Sequence, residues 1–109
     1  MTIKWVQEDP LVMNGEPFCY GSRLTVSQLL ELRRNGYALT QILTDHPELK
    51  PLGIATAFVY AAARPDRYGA FLERDGSLVG PGFTEEEARP LPPDLRVRGV
   101  VVKEAAEVA

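Results

Sequence analysis

Cysteine and histidine are almost missing from this chain, with one of each in 109 residues. A lone cysteine excludes an intrachain disulfide framework, and a lone histidine beside it excludes a His/Cys metal cluster. Positive charge is also short. Twelve Lys/Arg stand against 15 Asp/Glu, a net charge of −3, so no global field draws the chain to nucleic acid or anionic lipid. The longest apolar run, Ile54 to Ala63, is interrupted by Thr56 and falls well short of the roughly 20 residues of a membrane-spanning helix. The opening stretch MTIKWVQEDP lacks the apolar segment of a signal peptide. The expected setting is a reducing cytoplasm, with no membrane partner. There is no phosphate-binding loop or dinucleotide fingerprint, so no cofactor is expected.

What remains is ordinary globular material, 45% hydrophobic and 25% charged, with about one domain's worth of length. The charge is unevenly spread. Residues 1–64 carry six cations (Lys4, Arg23, Arg33, Arg34, Lys50, Arg64) and six acids (Glu8, Asp9, Glu16, Glu31, Asp45, Glu48). The acidic excess therefore lies entirely in residues 65–109.

Ile3–Val6 and Phe18–Tyr20, rich in β-branched and aromatic side chains, read as two short strands. Asp9-Pro10 and Asn14-Gly15 supply turns between them. A first helix is expected from Ser22 or Thr25, either able to cap it, with Val26, Leu29 and Leu32 on one stripe and Leu30 beside it. Arg33 and Arg34 fall in its last turn, where the helix dipole favours cations. Leu39, Ile42 and Leu43 mark a second helix, ended by His46-Pro47. Pro51 is a good first residue for a third helix, which runs to about Ala63 and closes at Arg64-Pro65. One of its faces is Ile54, Phe58, Ala61 and Ala62, and the neighbouring one is Leu52, Ala55 and Val59. A helix this apolar around its circumference is normally buried on more than one side.

The texture changes at Pro65. Tyr68–Arg74 and Ser77–Gly80 flank Asp75-Gly76, a strong hairpin signal. Thr84-Glu85-Glu86-Glu87 has the form of a capping box opening one helical turn, which Pro90, Pro92 and Pro93 keep short. Arg96–Lys103 (RVRGVVVK) reads as a last strand. The expected fold is α+β: a three-helix helix-turn-helix bundle with an N-terminal β-hairpin in residues 1–64, and a C-terminal β extension, residues 65–109, packed on the same domain.

Asp9-Pro10, Asn14-Gly15-Glu16-Pro17, Gly21-Ser22-Arg23-Leu24-Thr25-Val26, Gly36, Ile42-Leu43, Asp45-His46-Pro47, Leu49 and Tyr60-Ala61 occur in that order. Together they resemble the bacterial domain-of-unknown-function 433 family over residues 3–64. The chain departs from the family pattern at Ser22, Phe18-Cys19-Tyr20, His46, Lys50 and Gly53. The resemblance implies a homeodomain-like bundle preceded by a β-hairpin, and an antitoxin-like role. Members are often encoded beside a PIN-like nuclease toxin and are thought to bind it, some also binding operator DNA. No catalytic residue is attributed to the family.

The residues themselves weigh protein against DNA. Groove reading asks for Arg, Lys, Asn or Gln early in the third helix. The expected exposed positions there, Lys50, Leu52, Gly53, Thr56 and Ala57, offer one cation and one hydroxyl. Arg33, Arg34 and Arg64 would hold phosphates, which position but do not specify. A protein partner is therefore the first reading, with Trp5, Arg23, Leu52 and Val59 as contacts and homodimerisation as the working expectation. The alternative is a DNA-binding regulator using Arg33, Arg34, Lys50, Thr56 and Arg64. Each partner-side residue also has a structural reading: Arg23 paired with Asp45 or Glu48, Trp5 packed beneath the first strand, and the third helix covered by the chain's own C-terminal half. Enzyme chemistry has only a Cys19–His46 dyad to draw on, without an evident activating environment.

Overall fold

The structure, a computed structural model, describes residues 6–7, 18–19 and 24–103. Thr25 opens the first helix, α1 (Val26–Arg34). Its hydroxyl accepts from Gln28 N at 3.0 Å, and the Gln28 side chain accepts from Thr25 N at 2.9 Å. This reciprocal pair satisfies two amides that the helix start leaves free. The second helix, α2 (Leu39–Asp45), begins after Ala38, which has no oxygen to cap it. Gln41 compensates in part, its side-chain oxygen accepting from Ala38 N at 3.0 Å. Pro51 takes the first position of α3 (Pro51–Ala62), where its missing N–H has no intrahelical partner to lose.

The α+β expectation is overturned. The described residues are mostly helical, and the only strands among them are β1 (Val6–Gln7) and β2 (Phe18–Cys19). These pair antiparallel, Val6 opposite Cys19 and Gln7 opposite Phe18. Two residues a side make a clasp against α3, not the β-hairpin layer that was expected. The C-terminal β extension is absent from the described residues as well. Residues 65–103 hold α4 (Pro65–Tyr68), a 3-10 turn at Gly69–Phe71, α5 (Glu85–Ala88) and a 3-10 turn at Pro93–Leu95, joined by isolated bridges.

The physical reasons lie in particular residues. Pro65 at a first helical position and Asp66 behind it start α4, which passes into the Gly69–Phe71 turn where a strand from Tyr68 was expected. The Asp75-Gly76 turn does form, with Glu73 N donating to Ser77 O at 2.8 Å, but its flanks meet only at the Leu72–Leu78 bridge. Gly99, at φ +81°, reverses the RVRGVVVK segment, in a backbone region that glycine enters without steric cost. Val97 O then accepts from the amides of Val100, Val101 and Val102 at 3.3, 2.8 and 3.1 Å. The segment curls around one carbonyl and forms no ladder. The Thr84–Glu87 capping box forms as expected, with Glu87 N donating to Thr84 Oγ1 at 3.1 Å and Thr84 N to Glu87 Oε1 at 2.8 Å.

The core runs through both halves. Val26, Leu29 and Leu30 of α1, Leu39 and Ile42 of α2, and Ile54, Ala55, Phe58 and Ala61 of α3 are buried together with Leu78, Phe83 and Val101. α3 packs against α1, α4, both short strands and the Pro93–Leu95 turn. The apolar circumference of α3 is thus largely covered by its own chain. No helix among the described residues is long and apolar enough to cross a membrane.

Candidate functional site

α2, the His46–Lys50 connection and α3 have the order of a helix-turn-helix. On α3 the burial pattern leaves one strip partly open. Leu52, Thr56 and Val59 are half-buried and Ala63 is exposed, positions that fall on one face at 3.6 residues per turn. Gly53 and Ala57, expected to be accessible, are buried, Ala57 completely. Neither can therefore meet a groove. The Thr56 hydroxyl donates to Leu52 O at 2.8 Å, turning it back along its own helix.

Beside this strip lies an aromatic–cation row. The Arg64 guanidinium stacks over the Tyr60 ring at 3.6 Å and donates to Tyr60 O at 3.0 Å. Tyr60 meets Tyr68 edge-on at 6.2 Å between centroids, and Arg67 stands over Tyr68 at 5.7 Å. Tyr60, Arg67 and Tyr68 were not among the expected residues, and Tyr68 is buried and backs the row from inside. Their signal was available: 60, 64 and 68 follow the i, i+4 spacing that brings side chains together on a helix. Pro65 hid it by marking a boundary between 60 and 68.

The other expected residues are dispersed. Lys50 is exposed at the start of α3. Arg34 is exposed, ion-paired with Glu31 and stacked over Phe71 at 4.9 Å. Trp5 and Arg23 lie outside the described residues, and with them the expected pairing of Arg23 with Asp45 or Glu48. The Cys19 side chain also lies outside the description. His46, its proposed dyad partner, has its Nδ1 3.7 Å from the Glu48 carboxylate.

Arg33 requires the largest correction. Its solvent exposure is 0%, so it cannot hold a phosphate as it stands. Nη1 donates to Val100 O, and the guanidinium lies over the Phe58 ring at 4.5 Å. Burial pushes its pKa down from the ordinary arginine value to about 10, partly opposed by the negative charge of Glu73. Arg33 therefore stays charged at neutral pH and is held inside the protein.

An open cleft of about 330 Å³ on the C-terminal part is lined by Glu85, Pro93, Arg96, Arg98 and Val102. Arg98 and Glu85 form an ion pair across it, so much of its charge is already matched internally. The more distinctive surface is the outer strip of α3 with its flanking row.

No curated protein and no solved structure matches the chain. A family model, "Protein of unknown function (DUF433)", matches residues 6–61, a span that runs from β1 almost to the end of α3 and takes in Leu52, Thr56, Val59 and Tyr60. The chain belongs to that family.

Proposed function

We propose that this chain is a non-catalytic, antitoxin-like binding module that recognises a protein partner, of the PIN-like nuclease class, through the outer strip of α3. The observation that carries this reading is the composition of the strip. Leu52, Val59 and Ala63 supply modest apolar area, and Tyr60 with Arg64 supplies the aromatic–arginine pairing on which protein interfaces concentrate their binding energy. Donors for a base edge are few along the strip, Lys50 at the start of α3 being an exposed cation. The Thr56 hydroxyl is turned onto its own helix, and Arg64 is engaged with Tyr60. A cytoplasmic site of action belongs to the same reading.

Homodimerisation is a second part of the proposal, since a two-fold pairing is the commonest way to cover residual apolar surface. Light scattering at micromolar concentration checks it, and a monomer mass would overturn that part.

The partner is tested by co-expressing the full chain with the product of the adjacent gene and measuring binding by calorimetry. Val59→Arg places a cation in the middle of the strip and should weaken the complex by at least tenfold with an unchanged circular dichroism spectrum. Equal affinity for both chains would overturn the assignment of the strip. The rival reading, operator DNA held by Lys50, Arg34 and Arg64, is tested by gel shift on the upstream DNA. A shift that survives moderate salt would displace the protein-partner reading, because purely phosphate-driven binding falls steeply with salt.

A further inference from the structure

Residues 69–103 form a unit laid against the helices. Backbone hydrogen bonds tie distant parts of this stretch to one another. Leu78 N to Gly99 O at 3.0 Å, Phe83 N to Val101 O at 2.7 Å and Lys103 N to Phe83 O at 2.9 Å are examples. The unit meets the helices through side chains: Phe83 sits edge-on to Phe58 at 6.3 Å, Phe71 lies under Arg34, and Val100 O accepts from Arg33.

Arg33 is sealed in the joint between the two. Phe58 covers one part of its guanidinium. The Gly80-Pro81-Gly82 strap runs along the rest. A Cβ at Gly80 would lie 2.0 Å from the Arg33 carbonyl oxygen, and one at Gly82 would lie 3.2 Å from Nη2 and 3.4 Å from Cζ. The strap is therefore bare of side chains at both points where it touches the arginine. Nη1 is occupied by Val100 O, while Nε and Nη2 are buried without a hydrogen-bond partner among the described residues.

Those two nitrogens form one edge of the planar guanidinium, with their N–H bonds pointing the same way. That edge is the fork that grips a carboxylate by two parallel hydrogen bonds. A buried cation whose fork is idle is unfavourable, and a group that brings two oxygens and one negative charge satisfies both its donors and its charge. Among the described residues the surroundings ask for a monoanion: Phe58 and the backbone of Gly80, Gly82 and Val100 offer no second charge to balance a dianion. Glu73, whose charge acts on Arg33, has its carboxylate engaged by Lys103 Nζ at 2.8 Å and Ser77 Oγ at 3.1 Å.

We propose that Arg33 is the receptor of a carboxylate site under the Gly80–Gly82 strap, binding a carboxylate on its Nε–Nη2 edge when the strap lifts. This site is separate from the outer strip of α3 and stands whether or not that strip binds a protein. Two sources present the same chemistry, a free small carboxylate and an acidic side chain of a polypeptide. The test uses the full-length, isotopically labelled protein and follows arginine Nε–H resonances by NMR while acetate is added at constant ionic strength.

The Arg33 signal, assigned by through-bond correlation to its own backbone and checked by its loss in Arg33→Lys, should move downfield and saturate. The amides of Gly80, Gly82 and Val101 should move with the same midpoint, and chloride should move none of them. Glu73→Gln should leave the response in place. Repeating the titration with a blocked tripeptide containing one glutamate separates the sources. Saturation by acetate alone assigns a small-molecule site, and saturation by both assigns a site open to a side chain. An Arg33 resonance that does not respond, or that follows chloride as well as acetate, overturns the proposal even if Arg33→Lys fails to fold.

Discussion

Residues 24–62 and 65–103 share one core and are built by opposite means. The helical part is specified by repetition: apolar side chains recur every three to four residues, and the caps sit at the expected boundaries. The C-terminal part has four-residue helices, single bridges, and a carbonyl at Val97 that serves three amides. Its order comes from turns and from the surface beneath it. Elements held by local periodicity can form with few neighbours, whereas a segment held by turns needs a template. Here Arg33 and Phe58 provide that template, receiving Val100 O and Phe83 respectively.

If Phe58 joins the two parts, Phe58→Ala should be the most damaging change. It removes the ring beneath Arg33 and the partner of Phe83 at one position that is only 2% exposed. Loss of about 3–5 kcal/mol is expected for a buried phenylalanine, read from the urea midpoint. A cost below about 1 kcal/mol, the range of a surface change, would mean that the two parts do not depend on this contact. Gly80→Ala comes next. Its Cβ would fall 2.0 Å from a backbone oxygen of Arg33, at φ +92°. Overpacking of about 1–3 kcal/mol adds to about 1–2 kcal/mol for a left-handed alanine. Hydrogen exchange should show that loss first in residues 78–103. Equal loosening of α1 and α3 would argue that the two parts open as one.

The same contrast decides what the sequence made legible. The boundaries of α1 and α3 could be read because Thr25, Pro51 and the Arg64-Pro65 step act over one turn of chain. Leu52 and Val59 could be placed on one face of α3 because spacing alone fixes that, whereas Ala55, grouped with them, is fully buried. Arg33 could not be placed. Every local rule sends a cation in the last turn of a helix outward, and its burial depends on Gly80, Gly82 and Val100, distant in sequence. RVRGVVVK misled for the related reason that β-branched composition outweighed one glycine. In the structure Gly99, at φ +81°, decides the path. The Asp75-Gly76 turn was readable, while its flanks were not, because a turn signal says nothing about whether strands follow it.

The two capping boxes allow the comparison to be sharpened with matched chemistry. Thr25→Ala and Thr84→Ala each remove a hydroxyl that accepts a helix-start amide, at 3.0 and 3.1 Å respectively. Each should cost about 1 kcal/mol in its own neighbourhood. The consequences should differ. Thr25 supports a nine-residue helix in the shared core, so its loss should shift the global urea midpoint. Thr84 supports a four-residue helix within the C-terminal unit, so its loss should appear mainly as faster exchange of the Ala88 amide and its neighbours. Identical global shifts from both variants would show that the C-terminal unit has no separate opening.

The smallest effect is electrostatic and tests whether the C-terminal unit is held partly by charge. Glu73 accepts from Lys103 Nζ at 2.8 Å and from Ser77 Oγ at 3.1 Å, and these bonds hold its carboxyl below the ordinary value of 4.5, Lys103 contributing most. A carboxyl with a lower pKa folded than unfolded favours folding while ionised. Its contribution is complete above the ordinary carboxylate range and is lost as pH falls through the depressed folded value. The native chain should therefore be slightly more stable than Glu73→Gln at neutral pH, and the two should converge as the solution is made acidic. Because the pair is exposed, added salt should narrow the gap at neutral pH. A gap that stays constant from neutral to acidic pH would assign the contact to hydrogen bonding alone.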